Sequence, residues 1–292
     1  IQFMLGDLRE RLESVGRLDA LDGVAAKALD YFASVEPGQL TDADLFRRTR
    51  ALTQIGEVRI SQGDLAAARQ QLSAAHASAS DLVARQPQNG DWLMGLGALE
   101  FWLGNVDWLQ GDLAAAEERF RAYLAVADRL ATIDGTKPEW RMEQAYAHSN
   151  LGTVQNARGN VDAALEHFRL TVEVERELVV ADAKEPRWQK ELASGLSWLG
   201  EALFGRGELA EARAYYEEGR AVLQQLAALA PEDTGYRFLL ALLQRKLGTT
   251  LESLGRLDEA IAEYGQSLAM HRQLLELDPA NADWRREVAV SH

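Results

Sequence analysis

Residues 151–168 read Leu-Gly-Thr-Val-Gln-Asn-Ala-Arg-Gly-Asn-Val-Asp-Ala-Ala-Leu-Glu-His-Phe. Gly152 has no side chain, so a neighbouring helix can approach there. Gly159 follows seven residues later and reads as a helix C-terminus, because glycine accepts the left-handed conformation that ends helices. Asn160 is of a type that caps the next helix. Ala164 and Phe168 stand four apart and share one helical face. The stretch therefore predicts a helix, a tight glycine turn and a second helix.

The same pattern recurs in both directions with a period of 48 residues. Leu103-Gly104, Leu151-Gly152, Leu199-Gly200 and Leu247-Gly248 form one ladder, preceded by Ile55-Gly56. Gly63, Gly111, Gly159, Gly207 and Gly255 form another. Ala68, Ala116, Ala164, Ala212 and Ala260 precede Leu72, Phe120, Phe168, Tyr216 and Tyr264 by four. Trp92, Trp140, Trp188 and Trp284 make a further ladder, with Tyr236 on the missing rung. Trp140 lies eleven residues before Leu151, three helical turns, so the laddered aromatics share a face with the Leu-Gly positions and read as core. Pro87, Pro138, Pro186, Pro231 and Pro279 are placed to end the second helices. First helices are expected near 41–62, 91–110, 139–158, 187–206 and 235–254. Second helices are expected near 64–86, 112–134, 160–184, 208–230 and 256–277. Such a period marks stacked helical repeats.

Leu151-Gly152, Gly159, Ala164 and Phe168, repeated in all five units, resemble the signature of the tetratricopeptide repeat (TPR). This repeat is 48 residues instead of the usual 34, and the tryptophan stands eight residues upstream of its usual place. The chain therefore resembles a long-helix variant. The resemblance implies an all-α, right-handed superhelical solenoid of stacked antiparallel helix pairs. It divides the chain into repeats 41–88, 89–136, 137–184, 185–232 and 233–280, with a truncated further repeat at 281–292. Residues 1–40 are expected to form an atypical helical hairpin or cap, in which Gly16-Arg17-Leu18-Asp19 echoes Gly255-Arg256-Leu257-Asp258. The run Phe3-Met4-Leu5-Gly6-Asp7-Leu8-Arg9 is similar to segments leading into such repeats in large bacterial signalling proteins.

The resemblance also implies a concave groove lined by the first helices. Carried over position by position, it assigns Arg50, Thr53, Gln54, Glu57 and Ile60 to the groove, then Phe101, Trp102, Asn105 and Trp108. Tyr146, Ser149, Asn150, Thr153 and Asn156 follow. Ser197, Trp198, Glu201 and Phe204 come next, then Arg245, Lys246, Thr249 and Glu252. Asparagines can bond a peptide backbone as donor and acceptor, and aromatics supply buried contact area. Trp102, Trp108 and Trp198 do not repeat at every rung, which suits either binding or the filling of a local gap.

Composition bounds the alternatives. With 45 acidic against 31 basic residues, the formal net charge is −14, and no basic face offers itself to nucleic acid. There is no cysteine, so disulfides, thiol nucleophiles and Cys-ligated metals are excluded. No apolar run approaches the length of a membrane span. No phosphate-loop, dinucleotide-binding or nucleophile-elbow motif occurs. The histidines, His76, His148, His167, His271 and His292, include no helical metal-binding pair. Adjacent acids such as Glu117-Glu118 diverge by about 100° on a helix and read as a solvated face.

No enzyme, cofactor or metal is therefore expected. The expected partner is another protein or peptide, or an effector domain of the same parent chain, with oligomer formation left open. The expected setting is cytoplasmic, in a larger bacterial signalling or defence protein. The competing expectation is a structural spacer or self-assembly element without a specific ligand.

Overall fold

The computed structural model describes residues 41–279 and 281–290; the expected N-terminal cap at 1–40 lies outside them. Among the described residues all regular structure is helical. The chain forms two compact units, divided between Arg158 and Gly159. The first contains α1 (Asp42–Ser61), α2 (Leu65–Arg85), α3 (Gly90–Leu109), α4 (Leu113–Ile133) and α5 (Pro138–Ala157). The second contains α6 (Val161–Ala181), α7 (Pro186–Arg206), α8 (Leu209–Leu229), α9 (Thr234–Ser253), α10 (Leu257–Leu277) and α11 (Ala282–Val290).

Helix starts follow local chemistry. Asp64 and Asp112 accept from the amides of Ala67 and Ala115, and Thr41 forms a reciprocal capping box with Asp44. Asn160 holds the equivalent place before α6 but makes no side-chain bond to the helix amides. Gly63, Gly111, Gly159, Gly207 and Gly255 all have positive φ, from 75° to 85°, as the turn requires. Pro87, Pro231 and Pro279 stand two residues beyond the ends of second helices, as expected, and the other two of the five act differently. Pro138 and Pro186 occupy the first turns of α5 and α7, where a missing N–H costs nothing, while α4 and α6 end five residues earlier.

Within the first unit α1 packs on α2 and α3 on α4, and α3 and α5 stack on the preceding second helices. Within the second unit α7 packs on α8, α9 on α10, and each first helix stacks on the second helix before it. The Leu-Gly positions allow the close pairing. A methyl at Gly104 would lie 2.6 Å from the Phe120 ring, and one at Gly200 2.6 Å from Tyr216. The laddered aromatics serve packing. Trp92 and Trp188 are buried, and Trp140 lies so close to Gly90 that a methyl there would meet its indole at 2.3 Å.

The interfaces between successive repeats are not alike. One position of the second helix holds Ala79, Ala127, Glu175, Leu223 and His271 at 48-residue steps. The position sixteen residues on, in the next first helix, holds Gly95, Glu143, Glu191, Leu239 and Glu287. Charged struts also differ. Arg69 reaches Asp107 at 2.5 Å, the buried Glu117 engages Gln155, Arg121 and Arg158, and the equivalent pair in the second unit is Leu165 and Leu203, both fully buried.

Candidate functional site

The first-helix side of the first unit carries a cleft of about 610 Å³ between α1, α3 and α5. Small residues, Thr49, Thr53, Gly95 and Ala98, make room, and Phe46, Met94 and Trp140 give it apolar walls. Of the expected groove positions, Arg50, Thr53, Gln54 and Glu57 line it. The Arg50 guanidinium lies 5.7 Å from the Phe46 ring centre, and Lys137 Nζ stacks 3.8 Å over Trp140. Asp91 and Glu139 stand on its rim, 48 residues apart in the first turns of α3 and α5. The negative ends of side chains suit that location, where helix amides present partial positive charge.

The aromatics expected as groove anchors in α3 are mostly spent on packing. Phe101 and Trp108 are half-buried against the cluster formed by Ala116, Phe120, Leu151 and Val154. Phe101 sits 6.4 Å from Phe120 and 6.2 Å from Tyr123 between ring centres, and meets Trp102 edge-on at 4.9 Å. Trp102 is half-buried against the core that holds Leu52 and Leu99. Longer helices carry more interface, and these side chains fill it. Asn105 is half-buried on the same helix.

On α5 the polar set turns partly inward on its own backbone. Asn150 donates to the Tyr146 carbonyl at 2.7 Å, and Thr153 to the Ser149 carbonyl at 2.9 Å. Tyr146, Ser149, Asn150 and Thr153 are half-buried and Asn156 is exposed. Nearby, Tyr123 donates to Glu143 at 2.5 Å, and burial, with that carboxylate beside it, holds its hydroxyl well above the ordinary range.

The second unit presents a different patch on α7 and α9. Trp198 is 45% exposed, the most open tryptophan of the expected set. Lys246 Nζ lies 5.3 Å from its ring centre and donates to Ser197 Oγ at 3.0 Å and to Glu201 at 2.6 Å. Phe204, by contrast, packs on the core of this unit. Arg245 pairs with Glu287 at 3.4 Å and lines a separate hollow of about 580 Å³ with Thr249, Glu252 and Tyr264.

The arrangements that look most like catalytic chemistry are structural. Buried Glu100 meets His76 at 2.6 Å and Arg119 at 3.1 Å, which ties α2, α3 and α4 together. Burial alone would raise its carboxyl, yet His76 and Arg119 outweigh it and hold the group below the usual carboxylate range. Among the described residues no cluster of His, Asp and Glu has the arrangement of a metal site, and no helix is long and apolar enough to cross a membrane.

Phe46, Met94, Asp91 and Glu139 were not among the expected groove residues. The 48-residue step from Asp91 to Glu139 is the one signal in the sequence that could have pointed to the rim.

Three family models, each described as tetratricopeptide repeat, match the chain. One matches residues 60–107, one residues 98–122, 145–169 and 193–218, and one residues 240–281. The fold is shared with BtubC (BKLC) from P. vanneervenii at 15% identity, covering 88% of this chain and 92% of that one, with a TM-score of 0.69. It is shared with a Podospora anserina chain assigned as a kinesin light chain of nearly identical TPR-like repeats, at 17% identity, 79% and 97% coverage, and 0.57. RapI in its apo form matches at 12% identity over 94% and 99% of the two chains, with a TM-score of 0.58. No curated protein matches the sequence. The chain belongs to the tetratricopeptide-repeat family, whose members are protein-interaction scaffolds rather than enzymes.

Proposed function

We propose that this scaffold captures a peptide or helix of another protein against its first helices, with the α1–α3–α5 cleft as the receptor. The observation that carries the proposal is the cleft itself. Its apolar walls, Phe46, Met94 and Trp140, face space left by small residues, and polar groups from three helices converge on it. Recognition sites combine these features: apolar area for affinity and a few placed polar groups for orientation. The exposed Trp198, with Lys246 above it, is a second contact point in its own unit. On this reading residues 41–280 act as five repeats, and the chain is the regulatory part of a larger bacterial signalling or defence protein, in the cytoplasm.

The test is selection of peptides from a displayed library on the immobilised chain, followed by fluorescence anisotropy with the enriched sequences. Thr53→Arg places a long cation in the cleft and should weaken binding at least tenfold without lowering the melting temperature. An absence of enriched sequences, or equal binding by the variant, sinks the cleft assignment. A spacer role would then gain ground. The charged struts across repeats favour it, since Arg69–Asp107 and Glu117–Gln155 fix neighbours without using the cleft.

A further inference from the structure

We infer that the joint between α10 and α11 is a proton-operated latch, released when His271 takes up a proton. His271 is fully buried, where its repeat equivalents are Ala79, Ala127, Glu175 and Leu223. Its Nδ1 lies 3.5 Å from Ser267 Oγ on the same helix, and Ser267 itself donates to the Ala241 carbonyl at 2.7 Å. Its Nε2 is buried with no hydrogen-bond partner among the described residues, and Phe238 stands edge-on to the ring at 5.8 Å.

The charged groups that face this imidazole come from two helices. Arg245 approaches from α9 and Glu287 from α11. Glu287 is the one buried residue of α11, so this side chain anchors the helix. Its Oε2 lies 3.4 Å from Arg245 Nε and its Oε1 3.5 Å from Arg286 Nε, ion-pair separations without a hydrogen bond from Arg245.

A neutral imidazole fits this setting. A proton on Nε2 would create a buried cation beside Arg245, with no acceptor in bonding reach among the described residues, while the Glu287 carboxylate already faces two guanidiniums at ion-pair distance. Burial holds His271 below its ordinary value of 6.5; Glu287 raises it in part and Arg245 lowers it again. The sign follows. A histidine with a depressed folded-state value stabilises the closed joint above its ordinary value. That stability is lost as pH falls below 6.5. Opening hydrates the ring and takes only Glu287 out of full burial, with Trp284 and Val288 leaving partial burial. The other titratable rung works in the opposite sense: Glu175, facing Glu191, is favoured by acid.

The test is hydrogen exchange of the full chain, read by mass spectrometry over residues 282–290 between pH 7.5 and 5.5 and corrected for intrinsic exchange rates. Wild type should lose protection below pH 6.5, by at most about tenfold per pH unit. His271→Leu, which copies Leu223, and His271→Gln, which keeps a polar group without a titration, should both hold constant protection. The inference is overturned if wild-type protection is unchanged or rises in acid. It is equally overturned if either variant shows the same loss.

Discussion

Glu175 offers the sharpest quantitative test of the inner interfaces. Its carboxyl is buried on α6, 3% exposed, and Oε2 has no hydrogen-bond partner among the described residues. Gly195 on α7 leaves it space, since a methyl there would sit 2.0 Å from Oε2. Burial, with the Glu191 carboxylate beside it, pushes the group from an ordinary 4.5 up to about 9. The native chain at neutral pH therefore holds a protonated acid that the unfolded chain would ionise. Each pH unit between the two values costs about 1.4 kcal/mol, so the cost at pH 7 is about 3 kcal/mol. A raised acid contributes no penalty below 4.5, a growing penalty from 4.5 to 9, and a constant one above.

Glu175→Leu, which copies Leu223 at the equivalent position, should remove the penalty. The variant should be more stable than wild type by about 3 kcal/mol at pH 7 and by less than about 1 kcal/mol at pH 5. In a chain of this size that is a rise in melting temperature of about 5–10 °C at pH 7. Thermal melts by circular dichroism at pH 5, 6, 7 and 8 provide the assay. The difference between the two proteins isolates this site from other titrations. A variant less stable than wild type at every pH, with a constant difference, would refute the reasoning and show an ionised, paired carboxylate.

Gly200→Ala should cost about 1–3 kcal/mol in thermal stability, because its methyl meets Tyr216 at 2.6 Å and the ring is fully enclosed. Gly207→Ala should cost about 1–2 kcal/mol for a different reason, its φ of 85° in otherwise open space; a Gly207→Asn variant should recover part of the loss in the same melts. Glu117→Ala should cost about 1–3 kcal/mol, since Gln155 loses its buried acceptor; Gln155→Leu in the same background should restore part of it in a double-mutant cycle. Trp198→Ala should cost about 1–3 kcal/mol in stability, since more than half of its surface is covered, while weakening any peptide that contacts the second unit, measured by anisotropy at a temperature where both proteins are folded.

The helix order was legible because each repeat restates one set of steric demands. A glycine must turn at 63, 111, 159, 207 and 255, and another glycine must admit a large side chain at 56, 104, 200 and 248. Pro138 and Pro186 open helices although Pro87, Pro231 and Pro279 follow helix ends, because Pro suits both places and sequence alone does not say which. Asn160 has the chemistry of a cap but makes no side-chain cap hydrogen bond.

The site was less legible. Groove positions transferred from a 34-residue repeat fell on α3 aromatics that longer helices draw into the interface, as Phe101 and Trp108 show. Phe46 and Met94 read as ordinary core residues, yet they wall the cleft. Glu175 and His271 look like surface residues by type. Only their place on a ladder with Ala79 and Leu223 betrays the interior.

The unequal rungs bear on how such an array can grow or shrink. Five turns of the same geometry suggest units that could be cut and rejoined at will, yet the pairs at 175/191, 223/239 and 271/287 make each joint particular to its neighbours. Excising residues 185–232 would set Glu175 against Leu239. Excising 233–280 would set Leu223 against Glu287, the carboxylate that Arg245 now neutralises, and would remove that arginine as well. Recombination that preserves length and phase would thus still set a buried acid against leucine. The order of the repeats is tied to these particular joints, like the wards of a lock.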